Sequence, residues 1–134
     1  MKSRYLFDSH ALLAFFQNEK GAATVSGILK KTLDRKSDLL ICLINLGEII
    51  YITKRTFGDA RKIEILARIR QLGIRVLPVP EAIVFKAAEI KTDYPISYAD
   101  CFAAACAIEE SATIVTGDPE FKKLDHLIKI EWIR

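Results

Sequence analysis

Short apolar runs alternate with segments whose apolar residues recur every three or four positions along this chain. Residues 39–44, for example, form an uninterrupted apolar run, which is typical of a strand covered on both faces. In segment 22–34, by contrast, Val25, Ile28 and Leu29 lie at helical spacing. This pattern predicts strands at 5–7, 39–44, 74–77, 113–115 and 128–133, and helices at 9–18, 22–34, 45–57, 59–72, 81–91 and 97–110.

Because strands alternate with helices throughout, the order predicts an α/β protein with three layers, in which a mostly parallel central sheet carries helices on both faces. Helix 97–110 is apolar nearly all round and is expected to lie centrally, and Asp59 is expected to cap the helix that follows it. We find no linker or repeat, so a single domain is expected over 1–134. Ligands of such sheets bind beyond the carboxyl ends of the strands, and functional groups are therefore expected at that edge.

Composition narrows the class of protein. Of the 134 residues, 51% are hydrophobic and 28% charged, which excludes a disordered chain. The net charge of +3 permits a nucleic-acid partner without arguing for one. Cys42, Cys101 and Cys106 lie in apolar runs and form no CxxC pair, so they are expected to be buried, reduced thiols that suit the cytoplasm. No apolar run reaches membrane-spanning length, and no membrane partner is expected.

Four acidic residues, far apart in the sequence, are expected to meet at the carboxyl edge of the sheet. Asp8 follows the first strand, and Asp118 follows strand 113–115. Glu48 and Asp100 each lie one turn into a helix that borders the same edge. The topology therefore brings four carboxylates from four separate segments towards one place.

Three of the four acids also have a purely structural explanation. Asp8 can cap the helix that follows it. Asp118 stands directly before Pro119, and this pair is a common start of a helix. Asp100 can offset the dipole of its own helix. Glu48 resists such an explanation, because no basic residue stands three or four positions away from it.

Asp100 likewise has no basic residue three or four positions away. Since a buried, unpaired carboxylate costs several kcal/mol, two apolar helices that each carry a lone acid predict a cation between them. Carboxylate oxygens are the ligands that Mg²⁺ prefers. Zinc is not expected, because His10 and His126 stand alone and no Cys lies at ligand spacing.

A metal of this kind lowers the pKa of bound water and stabilises a leaving oxygen, so the natural substrate is a phosphodiester. Ser9, Asn45 and Thr116 are expected to hold water or phosphate beside it, although Asn45 could equally cap the helix of Glu48. A phosphatase with Asp8 as nucleophile is a weaker alternative. Such enzymes use a second Asp two residues after the nucleophile, and this chain has His10 at that position.

Four stretches in order resemble the motifs of PIN-domain nucleases, and the chain's size is similar to that of VapC-type toxins of toxin–antitoxin pairs. The stretches are Leu6-Phe7-Asp8-Ser9, Asn45-Leu46-Gly47-Glu48-Ile49, Ser97-Tyr98-Ala99-Asp100-Cys101-Phe102-Ala103-Ala104-Ala105 and Thr116-Gly117-Asp118-Pro119-Glu120-Phe121.

The resemblance implies a metal-dependent ribonuclease, with Asp8, Glu48, Asp100 and Asp118 as catalytic metal ligands and Thr116 as a supporting polar residue. It further implies Mg²⁺ or Mn²⁺ as cofactor, RNA such as tRNA or ribosomal RNA as substrate, a homodimer and a cognate antitoxin that blocks the site.

Two alternatives stay open within the resemblance: an RNA-processing nuclease of the PIN type without an antitoxin, and a non-catalytic PIN module that binds protein. A small antitoxin gene beside this one would favour the toxin. Lys54 and Arg55 lie two turns beyond Glu48 on the same predicted helix. They could bind RNA phosphates that flank the cut, or they could form an ordinary solvated helix face.

Overall fold

The computed structural model of the protein describes residues 3–31 and 37–134, which contain a sheet of five strands. The strands are β1 (Ser3–Phe7), β2 (Ser37–Cys42), β3 (Arg75–Leu77), β4 (Thr113–Thr116) and β5 (Ile130–Trp132). The helices are α1 (Ser9–Phe16), α2 (Ala22–Lys31), α3 (Leu43–Phe57), α4 (Asp59–Gln71), α5 (Glu81–Asp93) and α6 (Tyr98–Glu110), and a short 3₁₀ helix spans Pro119–Leu124.

The sheet is parallel throughout, with the strand order β3-β2-β1-β4-β5. Strand β1 lies at the centre, and its last residue, Phe7, pairs with Ile41 of β2 on one side and Val115 of β4 on the other. The residues that follow these strands therefore emerge side by side at one edge. The predicted α/β class and parallel sheet are confirmed.

Two apolar cores lie on opposite faces of the sheet, since successive side chains of a strand point to opposite faces. Leu6 of β1 belongs to the core that contains α5 and α6, whereas Phe7 belongs to the core that contains residues of α1 to α4. This arrangement is the predicted three-layer α/β/α fold. Helix α6 is as central as expected, because its eight consecutive residues from Asp100 to Ala107 are all buried.

The second strand and the third helix meet earlier than predicted. Strand β2 ends at Cys42, and α3 begins at Leu43, two residues before the predicted start. The apolar run misled the prediction because Leu43 is 48% exposed and is not part of the doubly covered strand. Asn45 consequently lies inside the first turn, and the alternative that it caps the helix is wrong. Cys42 occupies the N-cap position without a side-chain hydrogen bond.

The predicted capping role of Asp59 is also wrong. Gly58 occupies the N-cap of α4 and takes a positive φ of 93°, which lets one residue end α3 and precede α4. Asp59 is instead the first helical residue, where it pairs with Lys62 and Lys54 on the surface. Helix α2 was predicted to run to residue 34; it is described to Lys31, and residues 32–34 lie outside the described part.

All three cysteines are buried and free, as predicted. Among the described residues, none of the helices is both long and apolar enough to span a lipid bilayer.

Candidate metal centre

Asp8 stands where the central strand ends, and it is buried with 1% of its surface exposed. Its Oδ1 caps α1 by accepting a hydrogen bond from the backbone N–H of Ala11 at 2.8 Å. Its Oδ2 accepts a hydrogen bond from the hydroxyl of Thr116, the last residue of β4. Capping and site formation are therefore compatible, because a carboxylate has more acceptor positions than these two bonds use.

Thr116 connects two of the acids through its hydroxyl group. Its Oγ1 donates to Asp8 and accepts from the backbone N–H of Asp118 at 2.9 Å. The side chain of Asp118 then accepts from the backbone N–H of Glu120 at 2.9 Å, which starts the 3₁₀ helix with Pro119 in its first turn. One threonine thus fixes the loop that carries Asp118 against the carboxylate of Asp8.

Three carboxylates lie close enough to share one ion. Oxygens of Asp100, Asp118 and Glu120 all lie within 4.8 Å of one another. Asp100 reaches this point from the first turn of α6, where the hydroxyl of Ser97 accepts a hydrogen bond from its backbone N–H at 3.2 Å. In an octahedral Mg²⁺ site with bonds of about 2.1 Å, oxygens on opposite sides are about 4.2 Å apart, so the three carboxylates are near enough to close on one ion with a small shift.

Glu120 is the residue that the sequence analysis missed as a candidate ligand. Glu120 lies in the fourth motif, but the sequence pattern assigned no role to its side chain. The signal was present in Asp118-Pro119-Glu120, two acids separated by one residue at a predicted helix start. Only the 3₁₀ turn, which brings the backbone of Glu120 onto the Asp118 side chain, makes both acids face Asp100.

Glu48 approaches from α3 and is half-buried. The side-chain amide of Asn45, which is fully buried, donates to Glu48 Oε1 at 3.0 Å and to the carbonyl of Ala99 at 3.4 Å. Ala99 directly precedes Asp100. Asn45 therefore holds Glu48 next to the start of α6, a contact that the sequence did not predict.

Burial and mutual repulsion raise the pKa values of two of the acids. Burial raises the pKa of Asp8 to about 7, and the charges of Asp118 and Glu48 add to this rise, against the lowering effect of its hydrogen bonds. Burial also raises the pKa of Asp100 to about 8, and the charge of Asp118, a hydrogen bond to Asp118 and the charge of Asp8 contribute. The four acids singled out from the sequence thus act on one another electrostatically.

The donor set fits a hard divalent cation. Within residues 3–31 and 37–134, no basic side chain forms an ion pair with Asp8, Glu48, Asp100 or Asp118. The three residues that lie within reach of one ion are all carboxylates, with no His or Cys among them, so the group does not favour zinc. Among the described residues, Asn45 Oδ1 is a buried acceptor without a hydrogen-bond partner, which a water molecule in the site would satisfy.

The remaining candidates lie around this group. Ser9 is the first residue of α1 and is partly exposed beside Asp8. The ring of His10 touches Gly117, because a Cβ built there would lie 2.6 Å from His10 Cε1. Lys54 pairs with Asp59 at 3.5 Å on the surface, whereas the guanidinium of Arg55 lies 5.6 Å from the centre of an exposed aromatic ring, that of Tyr51.

Comparison with known proteins yields one family and several structures of the same fold. The family model for the PIN domain matches residues 5–127. The fold is similar to that of DNA-bound VapBC from Salmonella typhimurium, with a TM-score of 0.77 and 16% identity over 100% of both chains. It is also similar to VapBC2 from Rickettsia felis bound to a promoter DNA fragment, with a TM-score of 0.74 and 20% identity over 96% of this chain and 97% of that one.

A third similar structure is VapC20 from Mycobacterium tuberculosis, described as a sarcin-ricin loop cleaving toxin. It has a TM-score of 0.65 and 18% identity, over 89% of this chain and 93% of that one. No curated protein sequence matches this chain significantly. At these low identities, the structural likenesses show a shared fold.

The raised pKa values predict how the stability of the metal-free protein depends on pH. Above a pH of about 4 an unfolded Asp loses its proton, while folded Asp8 and Asp100 keep theirs up to about 7 and 8. The folded state therefore binds more protons across this window. As pH rises from 5 to 8, the free energy of unfolding in EDTA should fall, by up to about 1.4 kcal/mol per pH unit for each proton.

Urea unfolding at several pH values measures this slope. Asp100→Asn removes one of the two groups and should flatten it, while Glu109→Asn, on the exposed side of the same helix, should not. A stability that stays constant or rises over this pH range would contradict the electrostatic description of the site.

Proposed function

Since the chain belongs to the PIN-domain family, we propose that it is a metal-dependent endoribonuclease that hydrolyses RNA phosphodiester bonds and acts as the toxin of a type II, VapBC-like toxin–antitoxin pair. One observation carries the proposal. Acids from four separate segments converge at the carboxyl edge of the sheet, and in the described structure no basic group offsets their charge. A divalent cation supplies that charge, and a phosphodiester supplies its remaining ligands.

In this proposal Asp100, Asp118 and Glu120 hold Mg²⁺ or Mn²⁺ directly, and Asp8 and Glu48 complete the acidic wall around it. When bound, the metal lowers the pKa of a water molecule and offsets the charge that develops on the phosphate. The carboxylates would fix the position of the ion, and through it the positions of that water and of the scissile phosphate. Asp100 would release its proton as the metal enters, because only the ionised carboxylate is a ligand. Asp8 would release its proton because the nearby positive charge lowers the pKa of its carboxyl group.

The supporting residues Thr116 and Asn45 hold the acids in position. Thr116 holds Asp8 and the Asp118 loop together through its hydroxyl. Asn45 orients Glu48 through its amide, and its unpaired Oδ1 can accept a hydrogen bond from water in the site. Such partners of metal ligands commonly change metal affinity or activity about 10–100-fold when they are removed.

The partners follow from the likenesses. The antitoxin is proposed because the similar structures are of VapBC proteins, and the homodimer because the sequence motifs resemble those of VapC-type toxins. RNA such as tRNA or ribosomal RNA is proposed as the substrate, in keeping with the description of VapC20 as a toxin that cleaves the sarcin-ricin loop. A cytoplasmic location is proposed because all three cysteines are free.

The proposal favours an active enzyme over a non-catalytic protein-binding module. A module of that kind would gain nothing from carboxylates whose burial and repulsion raise their pKa values to about 7 and 8. An RNA-processing nuclease without an antitoxin would use the same site. The two are separated by co-purification with the product of an adjacent small gene, which the toxin should bind and the processing enzyme should not.

Single substitutions in the acidic group should abolish cleavage without unfolding the protein. Asp100→Asn and Glu120→Gln each remove one negative charge and one metal ligand, so Mn²⁺-dependent cleavage of total RNA should fall about a hundredfold or more. The rate is measured from the appearance of new RNA ends. Glu109→Gln, which changes an exposed acid of α6, serves as the matched control and should cleave at the wild-type rate.

Wild-type rates in Asp100→Asn, or full activity of the native protein in EDTA, would contradict the proposed metal role. Loss of activity in Asp100→Asn but not in Glu120→Gln would instead show that Glu120 is not a metal ligand and serves only the structure of the 3₁₀ helix.

Arg55, and not Lys54, should contact RNA phosphates. Glu48, Tyr51 and Arg55 lie three and four residues apart along α3, so they share one face, whereas Lys54 is engaged with Asp59. Arg55→Ala should raise KM for RNA several-fold and lower the salt slope of binding by about one. Lys54→Ala is the matched control and should change KM little. Equal effects of the two variants would assign the basic pair to an ordinary solvated face.

A further inference from the structure

A cleft of about 520 Å³ opens directly beside the acidic group. Two of the residues that line it, Gly117 and Pro119, flank Asp118 in the sequence. The wall of the cleft is therefore the same loop that carries a proposed metal ligand. The six lining residues are Gly117, Pro119, Lys122, Asp125, Trp132 and Arg134.

An indole and two cations face this cleft. Trp132 ends β5, where it pairs in register with Thr116, and 37% of its surface is exposed. Arg134 is held at the cleft because its Nε donates to the carbonyl of Gly117 at 2.9 Å and its Nη2 donates to the same oxygen. Lys122 is exposed on the 3₁₀ helix. Neither cation forms an ion pair within the described parts of the chain.

We propose that this cleft binds one nucleobase of the RNA substrate, stacked on Trp132, with the adjoining phosphates held by Lys122 and Arg134. The inference deepens the proposed ribonuclease activity and rests on it. An acidic site repels the substrate backbone wherever the metal does not reach, so cations beside Asp118 are needed to hold the next phosphates. Aromatic side chains with nearby cations are the usual platform for unstacked bases.

The size and the charge of the cleft favour a nucleotide over a segment of a partner protein. Its volume lies in the range of small-ligand sites, roughly 300–1,000 Å³, and the two cations that line it match the phosphates of a nucleotide. The cleft also contains one acid, Asp125. A carboxylate accepts hydrogen bonds from exocyclic amino groups of bases. Adenine, cytosine and guanine carry such a group and uracil does not, so the cleft should disfavour uracil.

The experiment uses Trp132 as its own reporter, because it is the only tryptophan in the sequence. In the ¹⁵N-labelled full chain with Mg²⁺, the indole N–H of Trp132 gives a single resonance for each conformation of the protein. The four nucleoside 5′-monophosphates are titrated in turn, with ribose 5-phosphate as the control that lacks a base. The nucleotides should shift this resonance saturably, with uridine monophosphate weakest, and ribose 5-phosphate should leave it in place.

Variants assign the binding to the cleft. Lys122→Ala should raise the Kd for the nucleotides several-fold, whereas Lys123→Ala is the matched control, an exposed neighbour on the same 3₁₀ helix that does not line the cleft, and should leave it unchanged. Asp125→Asn should remove the bias against uridine monophosphate. With RNA as substrate, Trp132→Ala should raise KM more than it lowers kcat, and Trp132→Phe should largely restore KM.

Three results would overturn the inference: an indole resonance that no nucleotide shifts, an equal shift by ribose 5-phosphate, or a shift that only an added protein partner causes. Binding of a nucleotide requires no cleavage. A saturable shift in a protein that does not cleave RNA would therefore refute the proposed ribonuclease activity but support nucleobase binding in the cleft. Cleavage without a shift would refute only the binding of a nucleobase in the cleft.

Discussion

The repulsion between buried carboxylates at the end of the central strand is the constraint on which the rest of the site depends. Asp8 is almost fully buried, Asp100 lies at the start of the most buried helix, and the charge of Asp118 raises the pKa of both. Folding the chain without a cation therefore means either keeping protons on these acids near neutral pH or accepting their repulsion. In the first state the acids exchange protons for a metal ion, and in the second the ion relieves their repulsion directly.

The parallel sheet explains why the acids meet in spite of this repulsion. Strand β1 lies between β2 and β4, so Asp8, the start of α3 and the Thr116–Asp118 loop emerge next to one another. The hydrogen bonds of Thr116 and the two helix-start contacts of Asp8 and Asp118 stabilise the charged groups locally. An acid can therefore cap a helix and also belong to the acidic site, since the hydrogen bonds that begin each helix also orient the carboxylates towards one another.

The sequence sufficed for the class of fold and for the location of the site, but not for every residue in it. Continuous apolar runs and the alternation of strands with helices predicted the parallel sheet, and the lone acids Glu48 and Asp100 predicted the convergence. The start of α3 was missed because only tertiary contacts decide whether Leu43 is covered. Glu120 was missed because a 3₁₀ turn, which has no strong periodic signal, sets its direction. The sequence also could not show that Lys54 and Arg55 differ in their contacts. They differ because Lys54 forms an ion pair with Asp59 across the turn between α3 and α4.

Calorimetric titration of Mn²⁺ into the metal-free protein, in two buffers of different ionisation enthalpy, tests the central claim most directly. Because Asp8 and Asp100 have pKa values of about 7 and 8, binding at pH 7 should release protons to the buffer, and the release should vanish by a pH of about 9. Binding that releases no protons at pH 7, or the absence of any saturable binding, would contradict the account.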